Sequence, residues 1–482
     1  MGGHKEEEFC ENYLVLKPEE ASCFDLVRIL CSINELERRD FYNSGSVAAA
    51  DDQSFGHRWI VFISVLLQKI FLYLKTPMAV VGSAMEVLLN FPPANGGYRR
   101  LLFNLLTGRV VAPDSSSATF TSMVGNLDKR WELNTSIRNQ TSKYIESTAM
   151  MASKLSYENK SFIQSVVTDH WQMEFLEFYH FWNDYEEMYT TYATMFRDKT
   201  TNPNLIVVAF RGTAPFDSDA WRTDIDISWY EFQDIGKIHG GFMKALGLQK
   251  STGWPKQISE TNSDRKSFAY YTLREKLKTL IQENEHAKFI LTGHSLGGAL
   301  AILFAGILAI HEEEALLKRL EGVYTFGQPR VGNEQFGEYM KEKMRLYDVK
   351  YFRYVYCNDM VPRLPYDDKN FLFKHFGPCL YFNSCYKGQV LEEEPNKNYF
   401  SLLHVVPKML NAVYELIRGF ILPWRKGLEY KEGWFMRLFR VTALVIPGLT
   451  DHFPVDYVNV TRLGELPPSI YSDGPHQNLK QD

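Results

Sequence analysis

Short apolar runs alternate with helix-forming stretches through the second half of the chain. Residues 205–210, 289–292, 320–326 and 349–356 are rich in β-branched and aromatic side chains. Runs of that length, closed by glycines or polar turns, read as strands buried on both faces. Helical patterns separate them: 236–246, the amphipathic stretch 268–283, and the wholly apolar run from Leu296 to Ile310. Strands alternating with helices from Asn202 onward predict an α/β fold, with a mainly parallel sheet covered on both sides.

The first half carries a different pattern. Residues 59–74 are almost entirely apolar, interrupted by Ser64, Gln68 and Lys69. Lys75-Thr76-Pro77 follows, then 78–91, interrupted by Ser83, Glu86 and Asn90, and then Pro92-Pro93. Neither arm reaches the ~20 unbroken apolar residues of a spanning helix. The pattern predicts two helical arms bent at Pro77, a hairpin that enters a lipid layer and returns to the same side. Lys69 and Lys75 would then snorkel at shallow depth. The alternative is a helical hairpin packed on the protein core.

These patterns divide the chain. Residues 1–58 form a polar N-terminal segment with a helix near 24–39, and 59–93 the apolar hairpin. Residues 94–200 read as a helical accessory region: 98–111 is apolar with basic residues, 115–122 is a Ser/Thr-rich loop, and 144–155 and 169–190 look helical. The sheet domain runs over 201–465, with an apparent insert at about 366–430, and 466–482 is a polar tail.

Composition narrows the function classes. The chain has 482 residues and a net charge of −5, with no basic stripe, which argues against nucleic acid. Its six cysteines show no metal spacing and read as free thiols in a reducing compartment, although Cys379 and Cys385 are close enough in sequence to pair. The N-terminus lacks the apolar core of a secretion signal, and Glu6 stands where a myristoylation start needs Ser or Thr. No cofactor or metal is expected, and a homo-oligomer is left open.

The chemistry centres on Gly293-His294-Ser295-Leu296-Gly297, a G-x-S-x-G pentapeptide between a strand and an apolar helix. That context is a nucleophile elbow, with Ser295 at the apex of a strained turn. The alternative is a glycine-rich turn in an ordinary βα unit. A serine hydroxyl needs a base to take its proton and a carboxylate to orient the base. In serine hydrolases built on such sheets both follow the serine in the chain. Asp359 directly follows the run 349–356 and is the candidate acid. A turn-capping role is its alternative, and Asp367 and Asp368 are weaker rivals.

The base is sought among His375, His404, His452 and His476. His452, in Gly448-Leu449-Thr450-Asp451-His452-Phe453-Pro454, follows the apolar run 441–446, read as a strand or buried segment, and is preferred. His404 sits in a helical run, His476 in the tail, and His375 too close behind Asp359. His239 and His294 are read as structural. The oxyanion hole is assigned to the backbone N–H groups of Leu296 and Thr213, with the Thr213 hydroxyl as a further donor.

Five ordered motifs carry a resemblance. They are Val207-Val208-Ala209-Phe210-Arg211-Gly212-Thr213, Ile238-His239-Gly240-Gly241-Phe242, Thr292 to Ala299 around Ser295, Tyr324 to Gly332, and Asn358-Asp359-Met360-Val361-Pro362. Over residues 202–460 the chain resembles the class 3 lipases of the α/β-hydrolase fold. The N-terminal apolar segment and the Asp451–Tyr457 ending look like the plant oil body lipases within that class. The resemblance implies a Ser295–Asp359–His452 triad acting on tri-, di- and monoacylglycerols at a lipid droplet, with the endoplasmic reticulum as a further location. Phospholipid or galactolipid hydrolysis and a silent lipase-like scaffold are the rival readings. It also implies a lid over 214–237, greasy beneath and polar outside.

Overall fold

The computed structural model of the chain describes residues 9–31, 40–45, 55–134, 141–250, 252–258, 266–365, 373–397, 399 and 401–467. Eight strands build the central sheet: β1 (Glu174–Asn183), β2 (Met188–Asp198), β3 (Leu205–Phe210), β4 (Lys288–His294), β5 (Leu320–Phe326), β6 (Lys350–Tyr356), β7 (Cys379–Phe382) and β8 (Gly388–Leu391). They lie side by side in chain order. Pairings from β3 through β7 are parallel; β1/β2, β2/β3 and β7/β8 are antiparallel. Every residue of β3 is buried, as its unbroken apolar sequence requires.

Seven helices bear on the site: α1 (Phe55–Ala94), α2 (Ser142–Leu155), α3 (Ser218–Ile225), α4 (Leu296–Ile310), α5 (Val405–Lys426), α6 (Trp434–Thr442) and α7 (Pro454–Leu463). On one sheet face α4 packs with the helix Ala269–Glu283. On the other, α2 and α7 cover Val207, Ile290 and Tyr354. The helix α4 is buried nearly throughout, which explains its lack of a polar face.

The hairpin expected at 59–93 is instead one 40-residue helix, α1, that continues through Pro77. Proline removes a single hydrogen bond, and the helix carries on beyond it. The polar interruptions are what fix α1 to the protein. Ser64 donates to the Ile225 carbonyl, Lys69 to the Pro18 and Ala21 carbonyls, and Asn90 bonds both backbone groups of Thr121. Lys75 pairs with Asp219 at 2.8 Å. Neither lysine therefore snorkels. The opposite side of α1 exposes Tyr73, Val80, Val81 and Leu88. The next helix, Tyr98–Thr107, has no buried residue, and exposes Leu102, Phe103 and Leu106.

Further expectations change. Residues 169–190 are chiefly strand, not helix: Glu174–Asn183 and Met188–Asp198 extend the central sheet, so 94–200 is not a helical accessory region. The N-terminal segment is not separate either. Asn12–Leu16 pairs with Tyr42–Ser44 and with Trp229–Phe232 in a second, six-stranded sheet. Of the expected insert, β7 and β8 belong to the central sheet and α5 is its helical part, while α6 lies beyond 430. The run 441–446 is not a strand and, Ala443 apart, is not buried: it is the end of α6 and a largely exposed turn. The helix expected at 24–39 is observed as Cys23–Cys31. Gly2, Asp367, Asp368, residues 32–39 and the tail with His476 lie outside the described residues. All six cysteines are free, including Cys379 and Cys385.

Candidate active site

Ser295 occupies the turn between β4 and α4 with φ 58° and ψ −131°. A non-glycine residue there carries strain of order 1–3 kcal/mol. The surroundings enforce it: a Cβ on Gly293 would overlap the Gly297 carbonyl, and one on Gly297 would overlap the Phe210 carbonyl. The Ser295 N–H donates to the Phe326 carbonyl on the neighbouring strand, 2.9 Å away. The hydroxyl is thereby held above the sheet's carboxyl end, at the N-terminus of a 15-residue helix.

His452 lies with Nε2 2.7 Å from Ser295 Oγ. Its Nδ1 is 2.9 Å from both carboxylate oxygens of Asp359. Asp359 is fully buried, and its Oδ1 also accepts the Val361 N–H at 2.9 Å. Its Oδ2 accepts the Tyr457 hydroxyl at 2.5 Å, and the Arg363 guanidinium holds its backbone carbonyl. An acceptor-only carboxylate at Nδ1 fixes the proton there, so Nε2 faces Ser295 as the acceptor. Room for this contact comes from Gly327, φ +61°, where a Cβ would press on both Asp359 and His452.

His294 supports the base from behind. Its Nε2 is 2.7 Å from the His452 carbonyl, an acceptor, so Nε2 carries the proton. Its Nδ1 then accepts the Tyr157 hydroxyl at 2.8 Å. Burial, and next the proximity of His452, hold the His294 pKa well below the ordinary histidine value. A neutral imidazole suits both bonds. The other histidines are elsewhere: His375 bonds the Pro362 carbonyl and His239 caps the helix Gly240–Leu246. His404 stands at the start of α5.

Thr213 follows β3, the parallel neighbour of β4, and Gly212 beside it abuts the His294 carbonyl. Leu296 is the first residue of α4. Both oxyanion candidates therefore flank the serine. The Thr213 hydroxyl donates to Asp224 Oδ2 at 2.7 Å. Asp224 is carried by α3, within the expected lid. Its Oδ1 is shut off from solvent with no hydrogen-bond partner. Burial pushes its pKa up to about 7, against the lowering effects of the Thr213 bond and His452.

The covering segment is narrower than the expected 214–237, because Trp229–Phe232 is fixed in the second sheet. What remains is α3 and its flanks, clasped by α1. Ser218 donates to the Phe71 carbonyl, Trp221 stacks on Phe71 at 6.2 Å, and a Cβ on Gly82 would press on Phe216.

The Lipase (class 3) family model matches residues 207–369. The chain is 42% identical to triacylglycerol lipase OBL1 of Arabidopsis thaliana, over 94% of this chain and 95% of that protein. The chain belongs to the class 3 lipases. Triacylglycerol lipase OBL1 of Nicotiana tabacum is 40% identical over 94% of each chain. Among solved structures, a triacylglycerol lipase described as having a serine protease triad at its catalytic centre aligns at 24% identity and TM-score 0.39, over 55% of this chain and 94% of that one.

Within this class 3 lipase, Tyr157 and Asp224 are residues near the serine that the sequence does not single out. His294, expected to be structural, holds the His452 carbonyl, and Tyr457, which closes the Asp451–Tyr457 motif, bonds Asp359. Replacing Tyr457 by Phe removes a hydrogen bond to Asp359 and leaves the buried Tyr356 N–H, 3.2 Å from the hydroxyl, without its partner. Tyr457→Phe should lower kcat roughly ten- to hundredfold on a soluble ester and lower the melting temperature by a few degrees.

Asp224 sets a pH dependence. Its carboxyl has a raised pKa while covered, about 7 against an ordinary value of 3.8, and returns toward the latter when α3 lifts. Stability of the covered form is then fully present below the lower value and is lost as pH rises toward the upper one. Amide exchange over 216–226, corrected for intrinsic rates, should report more opening at pH 7 than at pH 5. Asp224→Asn should flatten that dependence.

Proposed function

We propose that this chain hydrolyses triacylglycerols at an oil–water surface through an acyl-enzyme on Ser295. The observation that carries the reading is the Ser295–His452–Asp359 contact chain, in a protein alike over nearly its whole length to relatives named triacylglycerol lipases. His452 Nε2 takes the Ser295 proton as Oγ attacks the ester carbonyl. Asp359 stabilises the imidazolium, and the Leu296 and Thr213 N–H groups hold the oxyanion. His452 then protonates the departing glycerol oxygen. Water, deprotonated by the same imidazole, releases the fatty acid and restores Ser295.

Substrate reaches the site from a lipid phase. Among the described residues one helix, α1, is long and apolar enough to cross a membrane, and its exposed side lies opposite the face that holds α3. The exposed Tyr98–Thr107 helix continues that greasy surface. Support for a lipid droplet location comes from this surface and from the relatives' likeness.

Purified Ser295→Ala protein should lose roughly 10⁴- to 10⁶-fold in turnover on a triolein emulsion, with its melting curve unchanged. Hydrolysis that survives the substitution overturns the nucleophile. The wild-type chain assayed side by side on triolein emulsion and phospholipid vesicles should favour the emulsion; the opposite preference makes it a phospholipase.

The location has its own test. Val80→Glu with Leu88→Glu changes only exposed positions of α1, whereas deleting 59–91 would strip buried contacts as well. A fluorescent fusion of the double variant should leave the droplet surface for the cytosol. Retention there would refute the role of α1.

A further inference from the structure

The helices α5 and α6 are inside-out. An amphipathic helix on a water-soluble protein turns its apolar stripe inward and its charges outward. In α5 the three charged residues before its C-terminus, Lys408, Glu415 and Arg418, are all buried. Its apolar residues face away from the protein: Leu403, just ahead of it, is 86% exposed, Leu410 66%, Ile417 50% and Trp424 91%. Between 403 and 424 no exposed position is charged. In α6 Arg440 is buried, while Trp434, Leu438 and Val441 are exposed, followed by Val445 at 82%.

Glu415, Arg418 and Arg440 meet in one buried network, while Lys408 donates to the Tyr399 carbonyl. Arg440 reaches Glu432 at 2.6 Å, Asp456 at 2.8 Å and Glu415 at 2.9 Å. Arg418 pairs with Asp456 at 3.1 Å and bonds the Tyr356 hydroxyl at 2.6 Å. This network fixes which side of the helix pair faces out. The greasy side is therefore built in and is not an accident of a loose surface.

We propose that α5 and α6 form a second lipid-docking face that lies flat in the phospholipid monolayer covering an oil phase. The inference rests on the reading of the chain as a lipase acting at such a surface. Three observations favour lipid over a second copy of the chain. A 22-residue helix is roughly 33 Å long, a length suited to lying in an interface. Its exposed apolar band is broad: Met409, Tyr414 and Ile421 flank the central line, where a coiled-coil seam would carry charges. It ends on Trp424-Arg425-Lys426, an aromatic residue followed by two exposed cations, matched to the headgroup zone of an anionic monolayer. The face is also continuous with the site. Phe435 and Met436 pack in one cluster with Met85 and Leu89 of α1, Phe216 of the covering segment, and Phe453, the neighbour of His452.

The test uses the full chain carrying Leu410→Glu, Ile417→Glu and Trp424→Glu together, all at exposed positions away from the triad. Flotation with triolein droplets coated by phosphatidylcholine and phosphatidylserine should fall at least tenfold, and emulsion hydrolysis should fall with it. Hydrolysis of p-nitrophenyl butyrate in solution should stay within twofold of wild type, which shows an intact fold and site. In a separate arm, bilayer-depth quenching by brominated phospholipid should drop in Trp424→Phe protein.

Unchanged flotation overturns the proposal. So does a wild-type dimer that the triple variant converts to monomer while flotation persists, because the face would then belong to a second copy. Failure of the lipase reading looks different: the wild type would bind droplets and yet turn over neither emulsion nor soluble ester.

Discussion

The close approach of β4 and α4 at Gly293 and Gly297 governs the rest of the site. With no Cβ on either residue, the strand can turn into the helix almost without a gap, and Ser295 is forced to a positive φ. The helix N-terminus, the donor on Leu296 and the hydroxyl are then fixed relative to the sheet. Everything else meets them at the same end of the strands. Asp359 follows β6, Thr213 follows β3, and Gly327 follows β5. The strain at Ser295 is sustained because the Phe326 carbonyl, the packed α4 and the parallel ladder all oppose its relaxation.

The sheet and the residues that meet at Ser295 are legible in the sequence because their signals are local. A strand buried on both faces must be apolar throughout, and an elbow must have small residues at fixed offsets. Ser295 and Asp359 each announce themselves by a strand directly before them. His452 is reachable by elimination and by its motif, although the apolar run 441–446 before it proves to be a helix end and a largely exposed turn. What was not legible is long-range. The alternation in Glu174–Asn183 was masked by aromatics on both sides of the strand, and so read as a helix. The bend at Pro77 was inferred from a local rule, whereas the contacts of α1 with α3 lie on a distant segment. His294 and Asp224 act through partners 158 and 11 residues away, a pairing no single stretch reveals.

The polar interruptions of the apolar segments acquire a meaning only in three dimensions. Along α1, Ser64, Lys69 and Asn90 looked like defects in a lipid-seeking stretch. They are instead the residues that bond it to the protein, which leaves the opposite side free to be apolar. In α5 and α6 the same logic is carried further, into a network of buried charges. Such a network costs desolvation and is weak evidence for stability by itself. Its effect here is orientation. Turning the pair over to hide Leu410 and Ile417 would leave Asp456 buried without its two arginine partners, a cost that opposes the turn.

The network is also joined to the catalytic frame. Asp456 belongs to α7, directly after the loop that carries His452, and Tyr356 ends the strand that leads to Asp359. Above the cleft, Phe439 meets Phe453 at 5.6 Å, edge to face. The α5 and α6 pair is thus tied by charge to Asp456 and Tyr356, and by apolar contact to Phe453 beside His452. The helix α1 enters the same apolar cluster and clasps α3, whose Asp224 holds the Thr213 hydroxyl. Both greasy surfaces are thus joined through packed side chains to the Thr213 hydroxyl and to the loop that carries His452.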